Sequence, residues 1–364
     1  MKFQRIALPL MIVFLALGLS ACGGFFATQN FPGLVLDDDI LYISSGSHVH
    51  AVDVTNGQEV LLGNAPLRFP KDSDNNIILF APVALTDGGQ MVVPNSHPSK
   101  HGLYSIERAT GNVRWTFEGS KGTWIAGALV LNNTIYAPGG EGILYALDMN
   151  GNERWSVKLS SNGLMAQPVT NGELIFVPTM DGILFAINPA NGSQIWQREL
   201  NGPIMAPPLL DEDGNLYIGT LSGRMFSLQA ASGAVNWEQK LDGTIWSAPA
   251  LDGETLYIGV MVGKEGRFYA LQRATGAIRW QRSEEGSILA SPLAFDGKVL
   301  FVTELGRVQA LSGDGAPLWQ ADLKGKLVSV PVLAGDLILI VPMQGDDLLV
   351  AFDVNGAQRW KFKP

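Results

Sequence analysis

Four histidines, one cysteine and two short acidic runs carry most of the reactive chemistry in this sequence of 364 residues. His48-Val49-His50 puts two imidazoles on one face of an extended segment, because side chains alternate along a strand. His97 and His101 fall in the next stretch of similar pattern, with His101 aligned on His48. Neutral imidazoles gathered there could ligate a divalent transition metal. His48, His50, His97 and His101 are therefore candidate metal ligands, set against a plainer reading as loop histidines. Asp37-Asp38-Asp39 and Asp211-Glu212-Asp213 offer the oxygen ligands that calcium takes. Both runs read as hairpin turns, where Asp is favoured for backbone reasons alone. No Gly-x-Ser-x-Gly, phosphate loop, His-Glu-x-x-His or Cys-x-x-Cys occurs, so the common hydrolase, nucleotide and zinc signatures are missing. No residue is assigned a catalytic role.

The cysteine has a different chemistry. Lys2 and Arg5 precede an apolar run, Ile6 to Leu17, that is shorter than the ~20 residues a spanning helix needs. It reads as the core of a secretory signal. Leu19-Ser20-Ala21-Cys22 follows and resembles the lipobox of bacterial lipoproteins. That resemblance implies cleavage before Cys22 and acylation of its thiol. The expected organisation is a signal peptide over 1–21, a lipidated tether over 22–30 and a globular part over 31–364. The protein is then extracytoplasmic and anchored to a bacterial membrane, the outer one where the cell has one.

The elements that position these groups come from a repeat. Gly-x-x-x-Trp recurs at Gly111/Trp115, Gly151/Trp155, Gly192/Trp196, Gly233/Trp237, Gly276/Trp280, Gly315/Trp319 and Gly356/Trp360. Successive glycines are 40, 41, 41, 43, 39 and 41 residues apart. A weaker copy starts at Gly57, with Leu61 in the tryptophan's place. Each unit reads as a proline, a short apolar strand, a turn, two more apolar strands, a turn closed by the glycine, and the tryptophan strand. Glycine suits a turn position with positive φ. Such a four-stranded meander cannot bury both faces alone. Eight of them stacked around an axis can, which predicts an all-β, eight-bladed β-propeller of four-stranded antiparallel blades. The chain ends on its own tryptophan strand, so every blade is expected to be contiguous in sequence.

Composition agrees. The sequence holds 42 glycines, 46% apolar residues and 16% charged residues, too much apolar side chain for a disordered chain. Its net charge of −9 argues against nucleic acid as a partner.

Tyr145-Ala146-Leu147-Asp148-Met149-Asn150-Gly151-Asn152-Glu153-Arg154-Trp155 resembles the tryptophan-docking repeat of pyrroloquinoline-quinone-like (PQQ-like) propellers. Two branches of that family bear on function. Similarity to quinoprotein dehydrogenases would imply a quinone held over calcium by Glu, Asn and Asp, yet this sequence has no cysteine pair and no cytochrome attachment motif. The lipobox and repeat together are more similar to BamB-type lipoproteins, which implies a non-enzymatic scaffold with no cofactor. The expected partner is a protein at the membrane, in the setting of β-barrel assembly, and the expected state is a monomer. A small PQQ- and calcium-dependent oxidoreductase and a sugar or cell-wall binding module are the alternatives.

The expected contact surface lies at the end carrying the blade-joining loops and the turns between second and third strands. It includes Arg68, Lys71 and Lys100. Trp124 and Trp246, the two tryptophans outside the repeat, read equally as aromatic anchors there, since interfaces favour tryptophan, and as core residues lining the channel.

Overall fold

Apolar runs bounded by Gly, Asp and Asn turns fold here into eight antiparallel four-stranded blades arranged as a propeller. The computed structural model describes residues 32–62, 64–69, 77–79 and 81–364. Residues 1–31, which include Cys22, lie outside the described residues, as does Lys71. All described regular structure is β-strand, and no described helix is long and apolar enough to cross a membrane.

Blade 4 shows the pattern: Val169–Thr170, Ile175–Pro178, Ile183–Ile187 and Gln194–Glu199, paired in that order. Its two middle strands are almost wholly buried, whereas the fourth is mostly exposed. Middle strands lie between neighbouring blades on both faces, so they read as continuous apolar runs. The core is accordingly divided. Eight apolar clusters occur, each drawn from two adjacent blades. Phe176 and Leu184 of blade 4, for instance, pack with Leu216, Ile218 and Phe226 of blade 5.

The glycine–tryptophan pair works across these boundaries. A Cβ at Gly192 would lie 2.7 Å from Trp155 Cε3, so the hydrogen side chain is the seat for the preceding blade's indole. Gly151, Gly233, Gly276, Gly315 and Gly356 seat Trp115, Trp196, Trp237, Trp280 and Trp319 in the same way. Each of these six indoles also donates Nε1–H to a backbone oxygen in the turn it covers; Trp155, for example, donates to Pro189 O at 3.1 Å. Within its own blade Trp155 faces Ala146, and the register slips just beyond that pair. Ser or Ala faces the tryptophan in all seven such blades.

Blade 1 departs from this plan. Its outer edge is split between Gln58–Glu59 and Arg68–Phe69, both paired with His48–Asp53. The small hairpin Leu61–Leu62/Ala65–Pro66 is inserted between them. Leu61, at the tryptophan position, is 58% exposed. Blade 8 is built from Val332–Ala334, Leu337–Ile340, Leu349–Asp353 and Gln358–Phe362, and among the described residues it takes no strand from the other terminus. It closes the ring by packing Leu339, Val341 and Leu349 against Leu41, Ile43 and Val52. Ser329 Oγ donates to Pro32 O across the same boundary.

Candidate functional site

The four candidate histidines lie at one end of blades 1 and 2. His48 opens the third strand of blade 1, and His101 directly precedes Gly102–Glu107, the third strand of blade 2. The His48 and His50 rings lie 6.3 Å apart. His50 Nδ1 is 3.0 Å from Glu59 Oε1, and its ring meets Phe362 of blade 8 edge-on. His97 Nδ1 accepts from the backbone N–H groups of Ser99 and Lys100, which ties down its own loop. His101 Nε2 lies 3.1 Å from Ser120 O. Among the described residues no group of three or more His, Cys, Asp or Glu is placed to hold a metal ion. Alternation brings one pair onto a common face, but His97 is held by its own loop and His101 by the loop that joins blades 2 and 3.

Arg68 and Glu59 form a bidentate pair at 2.8 and 3.0 Å that closes the base of the inserted hairpin. His50 sits beneath it. Burial pushes the His50 imidazole below its ordinary value, more strongly than the Glu59 carboxylate lifts it. His48 is lowered too, first by burial and then by the charges of His50 and Arg68. Burial would raise Glu59, but hydrogen bonds from Arg68 and His50 hold it below the usual range. Arg68 is therefore a structural cation, and the expected basic cluster is partly neutralised. Of its other members, Lys71 is outside the described residues, and Lys100 accepts from Asn95 through its carbonyl.

The two non-repeat tryptophans separate. Trp124 is fully buried against Phe117 and Tyr145 and cannot serve as an exposed anchor. It stands where the joining loops of later blades carry Leu164, Ile204, Ile245, Ile288 and Leu327, all buried. Trp246 is one residue further along its loop and is half-buried, shortly before Ala250–Asp252, the first strand of blade 6. Leu305 and Val330 are exposed at the same end. Several acids at this end are committed: Glu141, Asp181 and Glu304 accept from Ser120, Ser160 and Ser287 of joining loops.

The opposite end holds contacts that the sequence reading missed. Arg273, in the last turn of blade 6, reaches back to blade 5, where Nη2 donates to Asp211 Oδ2 at 2.8 Å and also to Asp213. The Asp211 side chain is 1% exposed and also accepts from Tyr217 Oη and from the Asn215 backbone N–H. Burial pushes the Asp211 carboxyl up, and these hydrogen bonds outweigh it and hold the group below its usual range. Arg108 of blade 2 makes the corresponding pair with Asp37 of blade 1. Asp37 in the first acidic run, and Asp211 and Asp213 in the second, are thus paired with arginines of the next blade. The available signal was Arg-Ala-Thr-Gly, which occurs at Arg108 and again at Arg273.

Fold and site together define a class, the eight-bladed propellers with tryptophan-docked blades, whose polar groups here hold loops and blades together. The family described as outer membrane protein assembly factor BamB matches over residues 99–210, 181–290 and 264–364, and the chain belongs to that family. No curated protein matches. Among solved structures, BamB from Moraxella catarrhalis is similar with a TM-score of 0.70 and 17% identity, over 87% of this chain and 94% of that one. The computationally designed Ika8 protein gives 0.71 and 12%, over 90% and 97%. Quinohemoprotein alcohol dehydrogenase ADHIIG from Pseudomonas putida HK5 gives 0.66 and 12%, over 92% and 76%. At these identities the structural likenesses concern the fold alone.

Proposed function

We propose that this protein is a non-enzymatic, lipid-anchored scaffold that binds a protein partner of the outer-membrane β-barrel assembly machinery. The observation that carries the reading is the family match through residue 364. The lipobox at Leu19-Ser20-Ala21-Cys22 supports anchoring, with Cys22 as the acylated residue and the globular part outside the cytoplasm. The mechanism is passive and needs no cofactor. Eight blades locked by indoles and arginines make a rigid disc, and rigidity lowers the ordering cost of binding. The end carrying Trp246, Leu305 and Val330 is the proposed contact face, acting as a monomer.

Crosslinked pull-down from detergent-solubilised membranes tests this, comparing wild type with Cys22→Ala and with Trp246→Ala/Leu305→Ser. The expected result is a β-barrel insertase recovered by wild type, reduced by loss of the anchor and by the face variant. Absence of an insertase from the wild-type sample overturns the role. The oxidoreductase alternative, which rests on likeness of fold to a quinohemoprotein dehydrogenase, is tested by absorbance during titration with PQQ and calcium.

A further inference from the structure

We propose that the cleft between blades 2 and 3, at the end opposite the joining loops, binds a neutral oligosaccharide. Blade 2 comprises Ala84–Leu85, Gln90–Asn95, Gly102–Glu107 and Val113–Phe117; blade 3 comprises Leu129–Leu131, Thr134–Pro138, Ile143–Leu147 and Glu153–Lys158. The cleft has a volume of about 720 Å³. The equivalent cleft between blades 5 and 6 measures about 400 Å³, and Arg273 lies in it. Met149 stands in the place of Arg273, and Thr86 and Gly88 stand in the places of Asp211 and Asp213. Thr86 Oγ1 accepts from Gln90 N as Asp211 Oδ1 accepts from Asn215 N, which fixes the correspondence. The groove that an arginine closes in one boundary is open in the other.

Its polar groups are poised for hydroxyls. The Asp87 carboxylate and the Asn132 and Asn133 carboxamides line the cleft and make no hydrogen bond among the described residues. Arg114 is held in place by Glu107, Nε to Oε2 at 2.7 Å. Gln90, with its carboxamide oxygen turned toward donors, accepts from Arg114 Nη1 at 2.6 Å and donates to Ser105 Oγ and Met149 O. The Asp87 carboxylate and the Asn132 and Asn133 amides each offer adjacent donors or acceptors, the geometry that neighbouring sugar hydroxyls match. Val130 and Met149 supply an apolar wall for the C–H face of a ring. Arg114 is already neutralised by Glu107, and Asp87 disfavours anions, so a neutral ligand is selected. This reading is independent of the scaffold role and uses the other end of the disc.

The test is calorimetric titration of the full chain in detergent with chitotetraose and with maltotetraose, checked by saturation-transfer NMR. Wild type should bind at least one probe with a Kd of about 1 mM or tighter. Met149→Arg, which refills the groove, should weaken binding at least about tenfold. Asn132→Gly/Asn133→Gly should do the same, and glycine keeps the turn because both positions have positive φ, +49° and +56°. Leu318→Ser, exposed on the outer strand Pro317–Asp322 of blade 7, should bind as wild type. If Met149→Arg fails to fold by circular dichroism, the glycine pair decides. Failure of wild type to bind either probe at this affinity, or unchanged binding in the folded cleft variants, overturns the proposal.

Discussion

The indole of Trp360 covers the α-carbon of Gly57, so the last blade is locked onto the first by the contact that Trp319 makes with Gly356. A Cβ added at Gly57 would lie 2.6 Å from Trp360 Cδ2, and its φ is +71°. One feature of the six other tryptophan boundaries is absent: among the described residues the buried Trp360 Nε1 has no hydrogen-bond partner, whereas Trp319 Nε1 donates to Val354 O at 3.1 Å. Ring closure depends on shape at this point, supported by the apolar cluster and the Ser329 bond nearby.

Gly57→Ala should therefore destabilise more than its backbone conformation explains. Overpacking and positive φ together should cost about 2–4 kcal/mol. Gly214→Ala is the control, with φ of +76° and no atom within 4 Å of the new methyl; it should cost about 1 kcal/mol. Urea unfolding with unchanged m-values measures both. Equal losses would show that the seat under Trp360 does not control closure.

Tryptophan-to-phenylalanine substitutions should rank by hydrogen bonding. Trp319→Phe removes a bonded indole and strands the Val354 carbonyl, while Trp360→Phe removes an unsatisfied N–H. The first should be worse by about 1 kcal/mol. Thermal melts of the two variants decide the order.

Removing one arginine latch should leave a buried carboxylate uncompensated. Arg273→Met should cost about 3 kcal/mol at neutral pH, and Arg273→Met/Asp211→Asn should recover part of that loss. Asp211 is held below its usual range in the fold, so its stabilisation is present above the unfolded carboxylate value and is lost as pH falls through the folded one. The gap between wild type and Arg273→Met should narrow below about pH 4. Denaturant titrations at pH 7 and pH 3 check this.

The histidine pair gives a second pH dependence in a different window. His48 and His50 are both lowered from 6.5 in the fold, so the unfolded chain binds more protons below that value. Wild type should lose stability as pH falls from about 6.5 toward 5, and His48→Gln/His50→Gln should flatten that decline. Unfolding midpoints at pH 7, 6 and 5 are the measurement. An unchanged slope would show that the imidazoles are not depressed by their burial.

Period and turn chemistry made the blades readable in advance. Gly-x-x-x-Trp at intervals of 39 to 43 residues, with a proline before every first strand but one, where Ala128 stands, states a local pattern that needs no partner to recognise. The contacts of that pattern cross to the next blade, and spacing alone does not say which atoms meet. Glycine could be read as a positive-φ turn residue, but its second role as an indole seat appears only when two blades stand side by side. The same holds for Arg108 and Arg273: the repeated Arg-Ala-Thr-Gly was visible, while their acceptors, Asp37 and Asp211, belong to the preceding blade.

Chemistry was the least legible part. Asp37 and Asp211 read as turn residues with oxygen donors to spare, because composition hides the guanidinium that pairs with each. Trp124 can be read from sequence equally as a surface anchor or as core, because it lies outside the repeat; the position it fills is the core position that later blades give to Leu or Ile. The sequence by itself determined the repeat, and with it the strands, the turns and the number of blades, because these follow from hydrophobic period and local backbone preference. Only the tertiary structure decided which groups are committed, which cleft is open and how the ring closes, because each of those depends on side chains that one blade presents to the next.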